Sequence, residues 1–399
     1  MITIGTTPQK YTAAFNPVVF SLTSNNYAQP DFKFVADVYS GDGQLLATLK
    51  YQPQAAGTDP VTIDVSRILY ELVSADYCKL NEVISPSIVL TSGGALSDYS
   101  VQFGEQYNNI IYANLASFSG YIFNGAINSL RFPFFNHAGY LNNRWLTRFA
   151  RQVARKRDSV VMSVLQSDTA AITGFDLKIY SLSGSVLFST TISNPYTSLS
   201  AANNRLLHLH IGFDYLYSRL AFNSTIYNNA AYYTIQPTGG SICQIDLYSL
   251  CERFPGTRLH FLNELGGFDS FNFMLDTKLT QTTERKTYLR QAANKATGYD
   301  SVNKRFEVLT RNYYSTYTEK KKLISDYLSD TEAQLLADLL RSPLVYMETD
   351  AGQLGGAGNI LIPITLTTLE YEIKKARTDK VFNLELDVEI GFENVVQVI

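Results

Sequence analysis

Phe34, Ala36 and Val38 alternate with Val35, Asp37 and Tyr39, and Phe175, Leu177 and Ile179 alternate with Asp176, Lys178 and Tyr180. A period of two sends one set inward and the other toward solvent, so both stretches predict half-buried strands. Gly41-Asp42-Gly43 follows the first and Ser183-Gly184 the second. These residues tolerate positive φ, and each segment therefore predicts a β-hairpin.

The two stretches belong to a longer repeat. Val18-Val19-Phe20-Ser21-Leu22 is answered by Val160-Val161-Met162-Ser163-Val164, and Asp37-Val38-Tyr39-Ser40 by Lys178-Ile179-Tyr180-Ser181. Gly43 then matches Gly184, Leu46 matches Leu187, and Val61, Ile63, Val65 are matched with Leu209, Ile211, Phe213. Each copy ends in a short amphipathic stretch, Ser66–Leu72 and Asp214–Leu220, that predicts one or two helical turns. The expected fold is mainly β: two duplicated antiparallel β-sandwich units plus a β-rich C-terminal domain with one short helix. The expected divisions are 1–130 for the first unit, 131–158 for a basic connector, 159–240 for the second unit and 241–399 for the C-terminal domain.

The connector holds Arg144, Arg148, Arg151, Arg155, Lys156 and Arg157. Aromatic residues are not regularly interleaved with these charges, so pairing with acidic protein surfaces is favoured over nucleic acid. In the C-terminal part, residues 278–322 carry eleven Lys or Arg against three Glu and one Asp, which predicts a long basic hairpin. Gly266-Gly267 within an aromatic-rich run predicts a turn or bulge where backbones approach closely. Ser329 and Glu332 have capping-box spacing ahead of Leu335, Leu336, Leu339 and Leu340, and Pro343 follows, so a helix is expected over 330–341. Leu384, Leu386, Val388 and Ile390 alternate with acidic residues as a last strand.

Composition narrows the function classes. Hydrophobic residues make up 45% and charged residues 17%, with a net charge of -3, which excludes a disordered chain and a nucleic-acid-coating protein. The first residues lack a basic n-region and apolar core, and no stretch reaches the ~18 apolar residues of a membrane span. Synthesis in a host cytoplasm without membrane insertion is the expectation. Cys78, Cys243 and Cys251 show neither metal-ligand nor redox spacing. His208 and His210 share one strand face, but that face corresponds to Pro60 and Thr62 of the other copy, so surface histidines are expected and no metal. The glycines at 355, 356 and 358 lack a following Lys-Ser/Thr, and no G-x-S-x-G is present. No catalytic residue, cofactor or metal site is expected.

Three stretches carry a resemblance: Asn16–Phe20 leading to Phe34–Tyr39, Phe261–Phe268, and Leu339–Tyr346 followed by Pro363-Ile364-Thr365. On these the chain resembles structural proteins (neck, ring, tail, baseplate) of tailed phages that infect Bacteroidetes, the crAss-like group included. The resemblance implies a virion subunit that acts by assembly, self-associates in a closed ring and meets other tail or neck proteins. Its expected inter-subunit contacts are Arg144, Arg148, Arg151, Arg155, Arg157, Arg305, Arg311, Lys320, Lys321 and Lys322, with Glu385, Asp387 and Glu389 among the acidic faces they would meet. The alternative is a carbohydrate-binding or adhesin module for host surface glycans.

Overall fold

The computed structural model describes residues 2–53, 60–75, 87–248, 256–275, 278–289, 299–306, 310–350, 359–368, 383–391 and 394–395. The expectations on Cys78, Cys251 and the glycines of 352–358 lie outside these residues.

The first unit comprises β1 (Ile2–Thr6), β2 (Tyr11–Ala13), β3 (Val19–Ser24), β4 (Lys33–Ser40), β5 (Leu45–Tyr51), β6 (Val61–Asp64), the single turn α1 (Ser66–Leu69), β7 (Val89–Thr91), β8 (Leu96–Tyr107) and β9 (Ile110–Phe123). A three-stranded sheet, β1-β3-β6, faces a five-stranded sheet, β2-β9-β8-β4-β5. Phe20, Leu22 and Ile63 of the small sheet pack with Phe34, Ala36, Val38, Val101 and Phe103 of the large one. Phe20 meets Phe103 and Phe118 edge-on at 5.1 and 5.2 Å. Such pairs add about 0.5–1.5 kcal/mol beyond the area they bury.

The second unit runs through β10 (Arg151–Arg155), β11 (Val161–Leu165), β12 (Gly174–Ser181), β13 (Val186–Ser193), β14 (Leu206–His210), α2 (Phe213–Leu220), α3 (Ser224–Asn229), β15 (Ala230–Pro237) and β16 (Cys243–Tyr248). Its large sheet, β10-β16-β15-β12-β13, repeats the strand order of the first. Even the parallel pair recurs, β2 with β9 and β10 with β16. Gly43 and Gly184 occupy the same turn position, with φ of 84° and 81°. The connector and unit boundaries differ from expectation, because β10 lies within 131–158 and β16 lies beyond residue 240. Both are needed to complete the second five-stranded sheet.

Register also corrects the repeat. Val19 pairs with Asp64 and Val161 with His210, so Val61, Ile63 and Val65 correspond to Leu207, Leu209 and Ile211, two residues earlier than matched from sequence. A shift of two preserves which face is buried, so alternation alone could not detect it. The small sheets differ in one strand. In the second unit, β7 is contributed by the first unit's chain and pairs with β14, which stitches the two units together.

The C-terminal part holds β17 (Thr257–Leu262), β18 (Phe268–Phe273), β19 (Lys278–Leu289), β20 (Tyr299–Asp300), β21 (Arg305–Phe306), β22 (Thr310–Ile324), α4 (Asp330–Arg341), β23 (Val345–Asp350), β24 (Asn359–Leu366), β25 (Glu385–Ile390) and β26 (Asn394–Val395). One sheet runs β18-β17-β23-β24-β25-β22-β19, with β26 also beside β22. The Ser329–Glu332 capping box forms as the spacing predicts. Leu336 and Leu339 of α4 pack on Leu259, Phe261, Phe273, Leu386 and Val388.

Candidate functional site: exposed edges and a buried ionic junction

Five of the ten basic residues expected at subunit contacts, Arg148, Arg151, Arg155, Lys320 and Lys322, face acidic partners inside the chain. Arg148 Nη1 lies 3.5 Å from both Glu264 and Asp338. Arg151 pairs with Asp246, and Arg155 Nε donates to Asp158 at 2.7 Å. Lys320 reaches Glu389 at 3.2 Å and Lys322 reaches Glu385 at 2.5 Å, both across the β22–β25 pair. The acidic residues expected on a neighbour are thus partly used by the same sheet. Lys321 lies half-buried beside Met347 Sδ, and burial lowers its pKa. Arg144 is exposed, 5.9 Å from the Tyr140 ring centre, and Arg157 is exposed. Arg311 is half-exposed, and the Arg305 side chain lies outside the described residues.

A second cluster was not visible in the sequence. Arg258 on β17 is fully buried. Its Nε donates to Ser159 O at 3.0 Å, and its Nη1 donates to Asn272 Oδ1 at 2.8 Å. Glu348 Oε2 lies 3.6 Å from Arg258 Nε, and Asp158 Oδ2 lies 3.7 Å from Nη1. Burial pushes the Glu348 carboxyl up, but His260, Arg258 and the Ser159 N–H together outweigh it and hold it at about 2. Burial lowers the His260 pKa, so the neutral ring donates Nε2–H to Glu348 at 3.0 Å and accepts the Ser270 hydroxyl at Nδ1, 2.8 Å away.

Hydroxyl, imidazole and carboxylate stand here in the order of a hydrolytic relay. The same Ser-to-His Nδ1 bond nevertheless recurs at 2.8 Å between Ser163 and His208, across β11 and β14. All three relay members are buried, and they tie β17 to its neighbours β18 and β23. We read both pairs as cross-strand bonding.

The surface expectation for the histidines is overturned. His137, His208, His210 and His260 are all buried. The corresponding positions in the first unit, Thr62 and Asp64, are exposed. In the second unit β18 of the C-terminal sheet packs against β11, the strand whose Ser163 bonds His208, and the His210 ring lies against Tyr215. His137 sits among Phe123, Phe132 and Phe135, and among the described residues neither ring nitrogen has a hydrogen-bond partner. Burial takes its pKa down to about 4.

An unfolded histidine titrates near 6.5. Between about pH 6.5 and 4 the unfolded chain therefore binds a proton that folded His137 refuses. Its contribution to stability is full above pH 6.5 and is lost as pH falls through this window, by up to about 3 kcal/mol. Asp269, which burial pushes up to about 7, works in the opposite sense, losing stability as pH rises from about 4 to 7. His137→Leu should therefore flatten the acid limb of a urea-midpoint-against-pH curve. An unchanged slope would show that His137 does not titrate as its cage implies.

Two exposed strand edges stand out from this well-paired interior. The β8–β9 hairpin turns at Asn108-Asn109, both with positive φ, as a primed two-residue turn requires. Beyond it, residues 110–115 are all exposed, with Ile110, Ile111 and Leu115 at 53%, 50% and 45%. Among the described strands, β9 pairs with β8 over 110–112 and 116–123, with a bulge at 113–115 where Asn114 has φ 53°, and with β2 only at 121–123. Its outer edge over 110–119 is unpaired. At the far end of the C-terminal sheet, all twelve residues of β19 are exposed, and β22 is its one described partner. Since β25 and β26 reach β22 only within 316–324, the distal half of β19–β22 is a two-stranded ribbon.

No protein-family model matches this chain, and no curated protein matches it. Among solved structures, the teleost fish polymeric Ig receptor ectodomain aligns over 61% of this chain and 98% of its own, at 9% identity. The TM-score of that alignment is 0.18, too low to carry an argument about either fold or function.

Proposed function

We propose that the chain is a structural subunit of a tailed-phage virion, in its tail, collar ring or baseplate, acting through protein–protein assembly. The observation that carries this reading is the pair of exposed edges. A soluble monomer normally blunts a long edge strand with charge, proline or a bulge, because unpaired N–H and C=O groups template pairing with another chain. The 110–119 edge contains no charged residue and no proline, and its one such device is the bulge at 113–115. A two-stranded ribbon is likewise marginal alone in water and gains from a third strand or a covering surface. The phage resemblance supplies the setting in which such edges would be covered.

Native mass spectrometry tests the reading. The purified chain, alone or with proteins encoded beside it, is expected to give a discrete closed oligomer. A stable monomer indifferent to those proteins would shift the reading to a glycan-binding module.

A further inference from the structure

We infer that the β19–β22 ribbon of one copy docks along the free edge of β9 in the next copy, adding β19 as a strand to the five-stranded sheet of the first unit. This inference rests on the assembly reading above and names its interface.

Three observations converge on this occupant. The first is extent. The open β9 edge spans ten residues, 110–119, and β19 spans twelve. At about 3.3 Å per residue both edges run for roughly 30 Å, and the bulge at 113–115 divides the β9 side into two ladder segments, 110–112 and 116–119.

The second is charge. Residues 1–130 hold ten Asp or Glu against five Lys or Arg, whereas 278–322 hold eleven Lys or Arg against four acidic residues. Two β9 edges pairing with each other would bring two acidic units together, and two ribbons would bring two basic ones together. Ribbon on first unit is the attractive combination, and such complementarity favours the correct encounter over the wrong ones. Asp31 is exposed beside the tip of the β8–β9 hairpin, where Asn108 N donates to Pro30 O, and it can face the ribbon's Arg285 or Lys286.

The third is apolar surface. Ile110, Ile111 and Leu115 are exposed on one partner, and Leu279, Tyr288 and Leu289 on the other. Strand addition uses main-chain hydrogen bonds for affinity and alternate side chains for selectivity. Because the two patches differ, the contact is heterologous. It runs head to tail from copy to copy and closes into a ring if the rotation permits.

Complementation between two variants tests this. Ile111→Lys with Leu115→Lys disables the β9 edge, and Arg285→Glu with Lys286→Glu reverses the ribbon's charge. All four positions are exposed, and thermal melting of each variant checks that the fold survives. Each variant alone should be monomeric by native mass spectrometry, while their mixture should form a heterodimer through the one intact pair of surfaces. Hydrogen exchange should show the amides of 110–119 that point away from β8 protected in the wild-type assembly and unprotected in both variants. If the ribbon variant still dimerises alone through β9, the occupant is a second β9 and the inference is overturned. If wild type assembles and both variants assemble like it, the assembly reading stands and this interface falls. A wild type that stays monomeric at tens of micromolar overturns both.

Discussion

Arg258→Ala should destabilise the protein by about 3–5 kcal/mol, the cost typical of breaking a buried ion pair by removing one partner. The guanidinium is fully buried and faces Glu348 and Asp158, which are themselves almost completely buried. Removing it leaves Glu348 without its cation and Asp158 with Arg155 alone, and strands the carbonyl of Ser159 and the side chain of Asn272. These contacts join β17 of the C-terminal sheet to the loop between β10 and β11 of the second unit. The loss should therefore appear as release of one part from the other before global unfolding. Limited proteolysis alongside a urea titration would detect this as early cleavage near the junction. Arg258→Lys keeps the charge but not the planar fork, and should fall between the two. Adding Glu348→Gln and Asp158→Asn to Arg258→Met removes the stranded charges and should recover part of the loss. A change under about 1 kcal/mol for Arg258→Ala would mean that water replaces the guanidinium and that the junction is not held by it.

Gly266→Val is the second large effect, expected at about 2–5 kcal/mol. Gly266 closes the β17–β18 turn at φ 81°, where a side chain costs about 1–2 kcal/mol. A Cβ there would also drive into the carbonyl of Asn124, and one on Gly267 into the carbonyl of Leu146. Such overpacking adds about 1–3 kcal/mol. The turn cannot retreat easily. Asn263 Oδ1 accepts from Leu265 N at 2.9 Å and Gly267 N at 3.1 Å, its Nδ2 donates to Leu146 O at 2.8 Å, and Ala126 N donates to Glu264 O at 2.9 Å. Gly43 is the control. It has nearly the same φ, 84°, but a Cβ there meets nothing within 4 Å. Gly43→Ala should therefore cost only the backbone part, and thermal melts of Gly43→Ala and Gly266→Ala would separate conformation from close approach. Equal losses would show that Asn124 yields to the added carbon.

Strand alternation, the paired hairpin glycines and the Ser329–Glu332 cap are local signals, and local geometry is what they specify. Hence the strands, turns and helix α4 were legible from their residues, as was the tight turn at Gly266-Gly267. The Ser270–His260 pair could also have been found. In the β17–β18 hairpin, Leu262 faces Phe268 and each step outward pairs the next residues, so His260 must face Ser270. Glu348, which completes that cluster, lies 88 residues from His260 and arrives through pairing with β23. No spacing rule anticipates such a contact.

The sequence by itself determined the period-two faces, the repeated hairpins and the basic character of the ribbon, because these depend on neighbours in the chain. Tertiary structure alone decided which equivalent faces are wet. Thr62 and Asp64 meet solvent while His208 and His210 are buried; β18 packs on β11 of the second small sheet and, among the described residues, no strand is placed likewise on the first. It also decided which charges remain available. Lys320 and Lys322 look like free basic residues in the chain, but β25 brings Glu389 and Glu385 alongside them. The physical reason is common to both cases. Burial and ion pairing depend on what packs from a distance, and residues far apart in sequence leave no periodic trace of their meeting.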